Sequence, residues 1–238
     1  MFLLSSPEVS YSAADFRLAE ALTVAARQLH EAGGSRAILR TAVRLAVHLV
    51  PGTDHAGIVT VGRDQRPQTL ASSDEVAQEV QQLADTDAYR ALWEQLWSSP
   101  VAGIADTTAE DVAGRGLAPL GVRSLLALRL RADRRRLTVL ALWSRKPAGL
   151  DSTSLRVGRL LAAHISLAHE SATVQEQLTE AMRTRDLIGQ ATGLVMAHHD
   201  VDAADAFALL VRASQRENLK LRDLAQRYVD TAAEGSGE

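Results

Sequence analysis

Residues 122–143 read VRSLLALRLRADRRRLTVLALW. Leu126, Leu128 and Leu130 alternate with Leu125, Ala127, Arg129 and Arg131. Beyond Ala132-Asp133-Arg134-Arg135, Leu137, Val139, Ala141 and Trp143 alternate with Thr138, Leu140 and Leu142. A period of two on either side of a polar turn is an antiparallel hairpin, with strands expected over 122–131 and 136–143. Both registers hold apolar residues, so the pair is expected in the middle of a sheet covered on both faces. Arg134-Arg135-Arg136 suggests an anion patch. The reading the residues favour is a solvated tip that protects the sheet against edge pairing.

Upstream, apolar positions at helical spacing predict a helix over 13–30, facing inward through Phe16, Ala19, Leu22, Ala25 and Leu29. Gly33-Gly34 ends it, and Ser35 is placed to cap a second helix that runs to Val50. Residues 55–61 and 68–72 read as strands around the turn Gly62–Arg66. Helices are expected over 74–84 and 87–97, a strand over 101–105 and a short helix over 109–117.

Downstream, all six prolines lie before residue 148, so the last third can run as long helices. Helix is expected from Asp151, with a capping region at Ser152–Ser154. Val157, Leu160, His164, Leu167, Ser171, Val174, Leu178, Ala181, Arg185 and Ile188 recur at alternating three- and four-residue steps. That is a heptad seam with polar interruptions, and over 171–185 it predicts a parallel dimer.

Composition narrows the function. With 46% hydrophobic residues among 238, a real core is within reach. The formal charge of −3 means that any nucleic-acid site must be a local patch. The absence of cysteine excludes disulfides, zinc ribbons, thiol catalysis and a cysteine-linked bilin. The first ten residues lack the basic start of a signal peptide, and no apolar run approaches the ~18 residues of a membrane span. A cytoplasmic protein without a membrane partner is expected. There is no phosphate-binding glycine loop, no Gly-x-Ser-x-Gly elbow and no metal-ligand cluster, so neither an enzyme nor a metal site is expected.

The C-terminal stretch reads Arg185-Asp186-Leu187-Ile188-Gly189-Gln190-Ala191-Thr192-Gly193-Leu194-Val195-Met196 and continues through Ala206-Phe207, Leu210, Ser214, Asn218, Lys220-Leu221 and Leu224-Ala225. From about Arg183 to Asp230 this order of apolar, small and polar positions resembles the ANTAR module. The resemblance implies a three-helix bundle behind a coiled coil that binds paired RNA hairpins near terminators and lets polymerase read through. The element order over 13–170 resembles a GAF domain, which implies an antiparallel sheet with helices and often a ligand pocket. Together they resemble GAF-ANTAR antitermination regulators. The fold class is then α+β: a tail at 1–12, a GAF-like sensor at 13–170, a coiled-coil linker at 171–185, an ANTAR bundle at 186–232 and a tail at 233–238.

Within the bundle, Asp200 or Asp202 is expected to cap the second helix, whose buried stripe is read as Ala203, Ala206, Phe207, Leu210 and Ala213. Leu221, Leu224, Ala225 and Tyr228 are read as that of the third. Asn218 either closes the second helix in a left-handed conformation or caps the third. Gly189 and Gly193 share a face and imply close approach of another backbone. Helix packing is favoured, with RNA contact as the alternative. Arg212, Arg216, Asn218, Lys220 and Arg222 gather around the second turn. Alone they read as a solvated face; with the resemblance they become the expected RNA surface. Expected partners are RNA hairpins, a second copy of the chain and an upstream signalling protein. No cofactor is expected, and nothing identifies a ligand for the sensor. The alternative function is a signalling module whose C-terminal helices bind a protein partner.

Overall fold

The period-two stretch forms strands β4 (Ser124–Ala132) and β5 (Arg136–Ser144) of a computed structural model that describes residues 12–64, 66–83, 87–109 and 115–235. β1 (His55–Gly62), β2 (Pro67–Ser72) and β3 (Val101–Ile104) complete an antiparallel sheet among the described residues, in the order β2-β1-β5-β4-β3. β5 is therefore central, as the apolar residues in both of its registers predict.

Alternation sorts the side chains. Leu128, Leu140 and Leu142 face a core shared with α1 (Ala13–Glu31), α2 (Ser35–Leu49) and the start of α5 (Ser152–His199), where Leu29, Ile38, Val43, Leu161 and Ile165 meet them. Leu125, Val139 and Trp143 face the other side, against Val80 of α3 (Glu75–Gln82), and Trp93 and Leu96 of α4 (Asp87–Ser98). Each such leucine, fully buried, contributes about 1.5–3 kcal/mol relative to its exposed state. Gly158 lets α5 approach the sheet: a Cβ there would stand 2.8 Å from a methyl of Leu128.

Several expectations give way. Phe16 is 66% exposed, because Leu22, Ala25 and Leu29 already fill the α1 stripe. Gly34, at φ 112°, is the N-cap of α2, so Ser35 begins the helix instead of capping it. Asp151 caps α5, accepting N–H bonds from Thr153 and Ser154 at 2.8 and 2.9 Å. Ser154 serves the junction instead, donating its hydroxyl to the Pro51 carbonyl. Arg115–Leu120 forms a 3-10 turn with Pro119 inside it. Residues 110–114 of the helix expected at 109–117 lie outside the described residues, as do Ala84, the expected tail up to Tyr11, and residues 236–238 of the other tail. The hairpin tip is exposed, as expected, and β3 pairs with β4 only from Leu125 to Leu128, so β4 beyond Arg129 has no strand on its outer side among the described residues.

At the opening of β1, His55 is buried, and its Nδ1–H donates to Asp74 at 3.0 Å while its Nε2 accepts from Arg145 Nε at 3.2 Å. Asp74 is also the N-cap of α3, accepting from Ala77 N–H at 2.9 Å. Burial alone would raise its pKa, but bonds from Ser73, Ala77 and His55 outweigh burial and hold it below the ordinary value of 3.8. The folded state therefore binds this proton less readily than the unfolded chain. The contribution is present above 3.8 and drains away as pH falls through the lowered value. Asp74→Ala should cost about 1 kcal/mol at neutral pH through the cap. Asp74→Asn should lose less stability than the parent on acidification. Acid melts with equal slopes for Asp74→Asn and parent would remove Asp74 from the acid limb.

The chain divides into two units, one up to Thr173 and one from Val174. In the second, the end of α5 packs with α6 (Ala203–Glu217) and α7 (Leu221–Gly235) around Ala191, Val195, Ala206, Leu210, Ala213, Leu224 and Ala225. The core is built largely of small residues, so its stripe is narrow. Phe207 and Tyr228, expected inside, are 45% and 40% exposed, and Ala203 is exposed too.

Candidate nucleic-acid interface

The corner between α6 and α7 is set by local chemistry. Asp202 caps α6 through Asp205 N–H at 2.9 Å. Asn218 ends it at φ 53°, ψ 36°, the left-handed conformation that asparagine tolerates better than most residues. Ser214 then clasps the turn: its hydroxyl donates to the Leu219 carbonyl at 2.6 Å, and its own carbonyl accepts from Leu219 N–H at 3.0 Å. The Lys220 carbonyl accepts from Leu224 N–H at 3.1 Å and starts α7.

This corner presents Arg212, Arg216, Asn218 and Lys220 to solvent. Arg212 and Lys220 make no ion pair among the described residues, and Arg216 reaches only Glu217 at 3.9 Å. Arg222 turns the other way, pairing with Glu180 of α5 at 3.2 Å and with Asp223 at 3.1 Å. Four of the five expected RNA residues thus share the corner, and the fifth faces α5. Exposed pairs of this kind contribute about 0–1 kcal/mol, so a phosphate competes readily for Arg222.

Two clefts flank α7. One, of about 480 Å³, joins Arg222 and Gln226 to Arg183, Thr184 and Gln190 of α5, with Glu180, Asp186 and Asp223 on its rim. The other, of about 490 Å³, is lined by His198, His199, Leu194, Tyr228, Arg227 and Glu217 among others. The two histidine rings meet edge-on, with centroids 4.8 Å apart. Arg227 is held by Glu217 at 3.0 Å. Tyr228, read from the sequence as core, is exposed here and offers a stacking ring, and Gln190 and Gln226 add hydrogen-bonding groups. Neither cleft is legible as a motif, because each joins residues some thirty to forty positions apart along the chain (Glu180 and Arg222 are separated by 42).

Gly189 and Gly193 were expected to admit another backbone, with helix packing favoured over RNA. Among the described residues, nothing beyond the helix's own backbone lies within 4 Å of where their Cβ atoms would stand, so their face is open in the single chain. Val174 and Leu178, both on the seam read from the sequence, are 57% and 61% exposed, so that stretch of it is uncovered in the single chain; Met182, off the seam, is 61% exposed too.

Asn218 can act through its backbone or its side chain, and two variants separate the roles. Asn218→Ala, forced to hold φ 53°, should cost about 1 kcal/mol of stability. Asn218→Gly should melt within about 0.5 kcal/mol of the parent. RNA affinity that falls in the glycine variant marks a side-chain contact; affinity that tracks melting in both marks a cap only.

The family model of the ANTAR domain matches residues 176–229, and that of the GAF domain matches residues 34–170. Both are regulatory families rather than enzymatic ones. No curated protein matches the chain. Among solved structures it is similar to a bacteriophytochrome from the photosynthetic bacterium R. palustris, with TM-score 0.59 and 14% identity over 86% of this chain and 47% of that one. The photosensory core module of the Stigmatella aurantiaca phytochrome gives TM-score 0.60 and 14% identity over 85% and 46%. The chromophore-binding domain of an R. palustris bacteriophytochrome gives 0.50 and 14% over 66% and 64%. At that identity the likeness shows fold alone. The chain spans about half the length of the first two. Among the described residues, no helix is long and apolar enough to cross a membrane.

Proposed function

We propose, for a chain that belongs to the GAF domain family and carries an ANTAR domain behind it, that a homodimer binds tandem RNA hairpins near transcription terminators and lets polymerase read through. An RNA-binding antitermination regulator with a sensor domain follows from the two matched families. Hairpin binding is carried by the α6–α7 corner, where Arg212 and Lys220 stand exposed without an acidic partner beside Arg216 and Asn218. A patch of this kind meets the requirement set by a chain of net charge −3, that RNA affinity come from a local surface. Loop bases are read by hydrogen-bonding groups and by stacking on aromatic or guanidinium planes, which Asn218, the arginines and the exposed ring of Tyr228 supply. The uncovered stretch of seam at Val174 and Leu178, with the exposed Met182 beside it, supports pairing of two copies, and two bundles suit two hairpins.

The exposed Phe207 supports a second reading, in which the bundle docks on a protein partner. Salt separates the two. Binding of the purified chain to tandem-hairpin RNA should weaken with added salt by roughly 0.7 in log–log slope per single-stranded phosphate contact. No binding to such RNA at low salt would leave the protein-partner reading.

A further inference from the structure

The sheet register explains what gathers at the β4–β5 tip. Gly62 pairs with Arg136 and Val61 with Leu137, so the turn that leaves β1 lies beside the turn that enters β5. Arg63 Nε donates to the Arg134 carbonyl at 3.2 Å, although 71 residues separate them, and the Arg63 guanidinium lies 3.9 Å over the Trp97 ring. Beside this contact a cleft of about 340 Å³ opens, lined by Arg66, Arg135, Arg136, Thr60, Gln68 and Asp64. None of its three arginines makes an ion pair among the described residues. Two acids face them. Asp133 is engaged by the turn itself, accepting N–H bonds from Arg135 at 2.8 Å and Arg136 at 2.9 Å. Asp64 accepts from Arg66 N–H at 3.3 Å.

Three arginines that line one cleft with Thr60, Gln68 and a single acid, Asp64, leave an excess of positive charge in a chain of net charge −3. Guanidinium forks match phosphate oxygens bidentately. The volume suits a small ligand better than an extended polymer. We propose that this cleft binds the phosphate chain of a small phosphorylated ligand, one carrying two or more linked phosphates. It would give the first unit an anion site at the end of the sheet, where the face of Ile58 and Leu140 runs out to Thr60 and Arg136.

Calorimetry on the full chain with inorganic pyrophosphate, ATP and inorganic phosphate, at about 50 and 200 mM salt, tests it. Pyrophosphate and ATP should bind, more tightly than phosphate. Arg135→Gln with Arg136→Gln should weaken both by about tenfold or more. Asp64→Asn, which keeps the acceptor and removes the charge, should tighten them by about two- to threefold. Arg27→Gln, the same kind of charge change on α1, should leave them unchanged. Arg66→Gln replaces the double variant if its melting shows that it does not fold. The proposal is overturned if the parent binds neither pyrophosphate nor ATP at about 1 mM in low salt, or if the arginine variants bind them as the parent does. It is also overturned if the variants lose tandem-hairpin RNA while the parent ignores both small anions, since the tip would then be a polymer contact.

Discussion

Val174→Glu together with Leu178→Glu should convert the proposed dimer to a monomer and weaken tandem-hairpin binding by about a hundredfold or more. Both side chains are more than half exposed, so in the isolated chain the change should cost within about 0.5 kcal/mol. In a dimer, four carboxylates would be buried in an apolar seam without partners, a heavy desolvation cost. The large effect on RNA is one of linkage. With two bundles joined, the second hairpin binds intramolecularly, and avidity of this kind reaches about 10²–10⁴. Affinity for a single hairpin should change far less. Light scattering reads the first effect and titration with one- and two-hairpin RNAs the second. A variant that stays dimeric would move the interface elsewhere, for which Leu160 and Leu167, at 44% and 68% exposure, are the next candidates.

Arg216→Ala with Lys220→Ala should weaken tandem-hairpin binding by about thirty- to a hundredfold and flatten its salt dependence. Hydrogen bonds to charged groups contribute about 1.5–3 kcal/mol each, and part of that is recovered by solvent once the side chain is gone. Two lost single-stranded phosphate contacts should reduce the log–log slope by roughly 1.4. Arg216 is 78% exposed and Lys220 lies on the surface, so melting should barely move. A folded double variant with parental affinity would shift attention to Arg183 and Arg222, which share the polar cleft beside α5.

What was legible in the sequence is what local periodicity encodes. The alternation through 122–143 located the central strand, because side chains on a strand must alternate whatever the rest of the chain does. Asn218 was placed at a helix boundary by its tolerance of left-handed backbone, with only the choice between two caps left open. Phe207 was misplaced by one position. In a helix as short as α6, Ala206, Leu210, Ala213 and Ser214 already fill the buried stripe, and hydrophobicity alone does not reveal so narrow a face. Beyond the hairpins and the central place of β4 and β5, strand order was not legible, because β1 pairs with β5 across a long stretch of chain, from His55 with Trp143 to Gly62 with Arg136. For the same reason the arginines at 63 and 66, which neighbour the tip at Arg134–Arg136, stayed out of view. Arg222 was counted with the corner because its ion pair with Glu180 spans 42 positions.

Antitermination is read by single-round transcription with purified polymerase. Three templates are needed: a terminator behind two intact hairpins, behind one, and behind a pair whose loops are scrambled. The account predicts that the parent raises read-through on the first template alone and that the Arg216→Ala, Lys220→Ala variant raises it on none. Read-through that the parent leaves unchanged on the two-hairpin template, with polymerase active and the RNA bound, would contradict it.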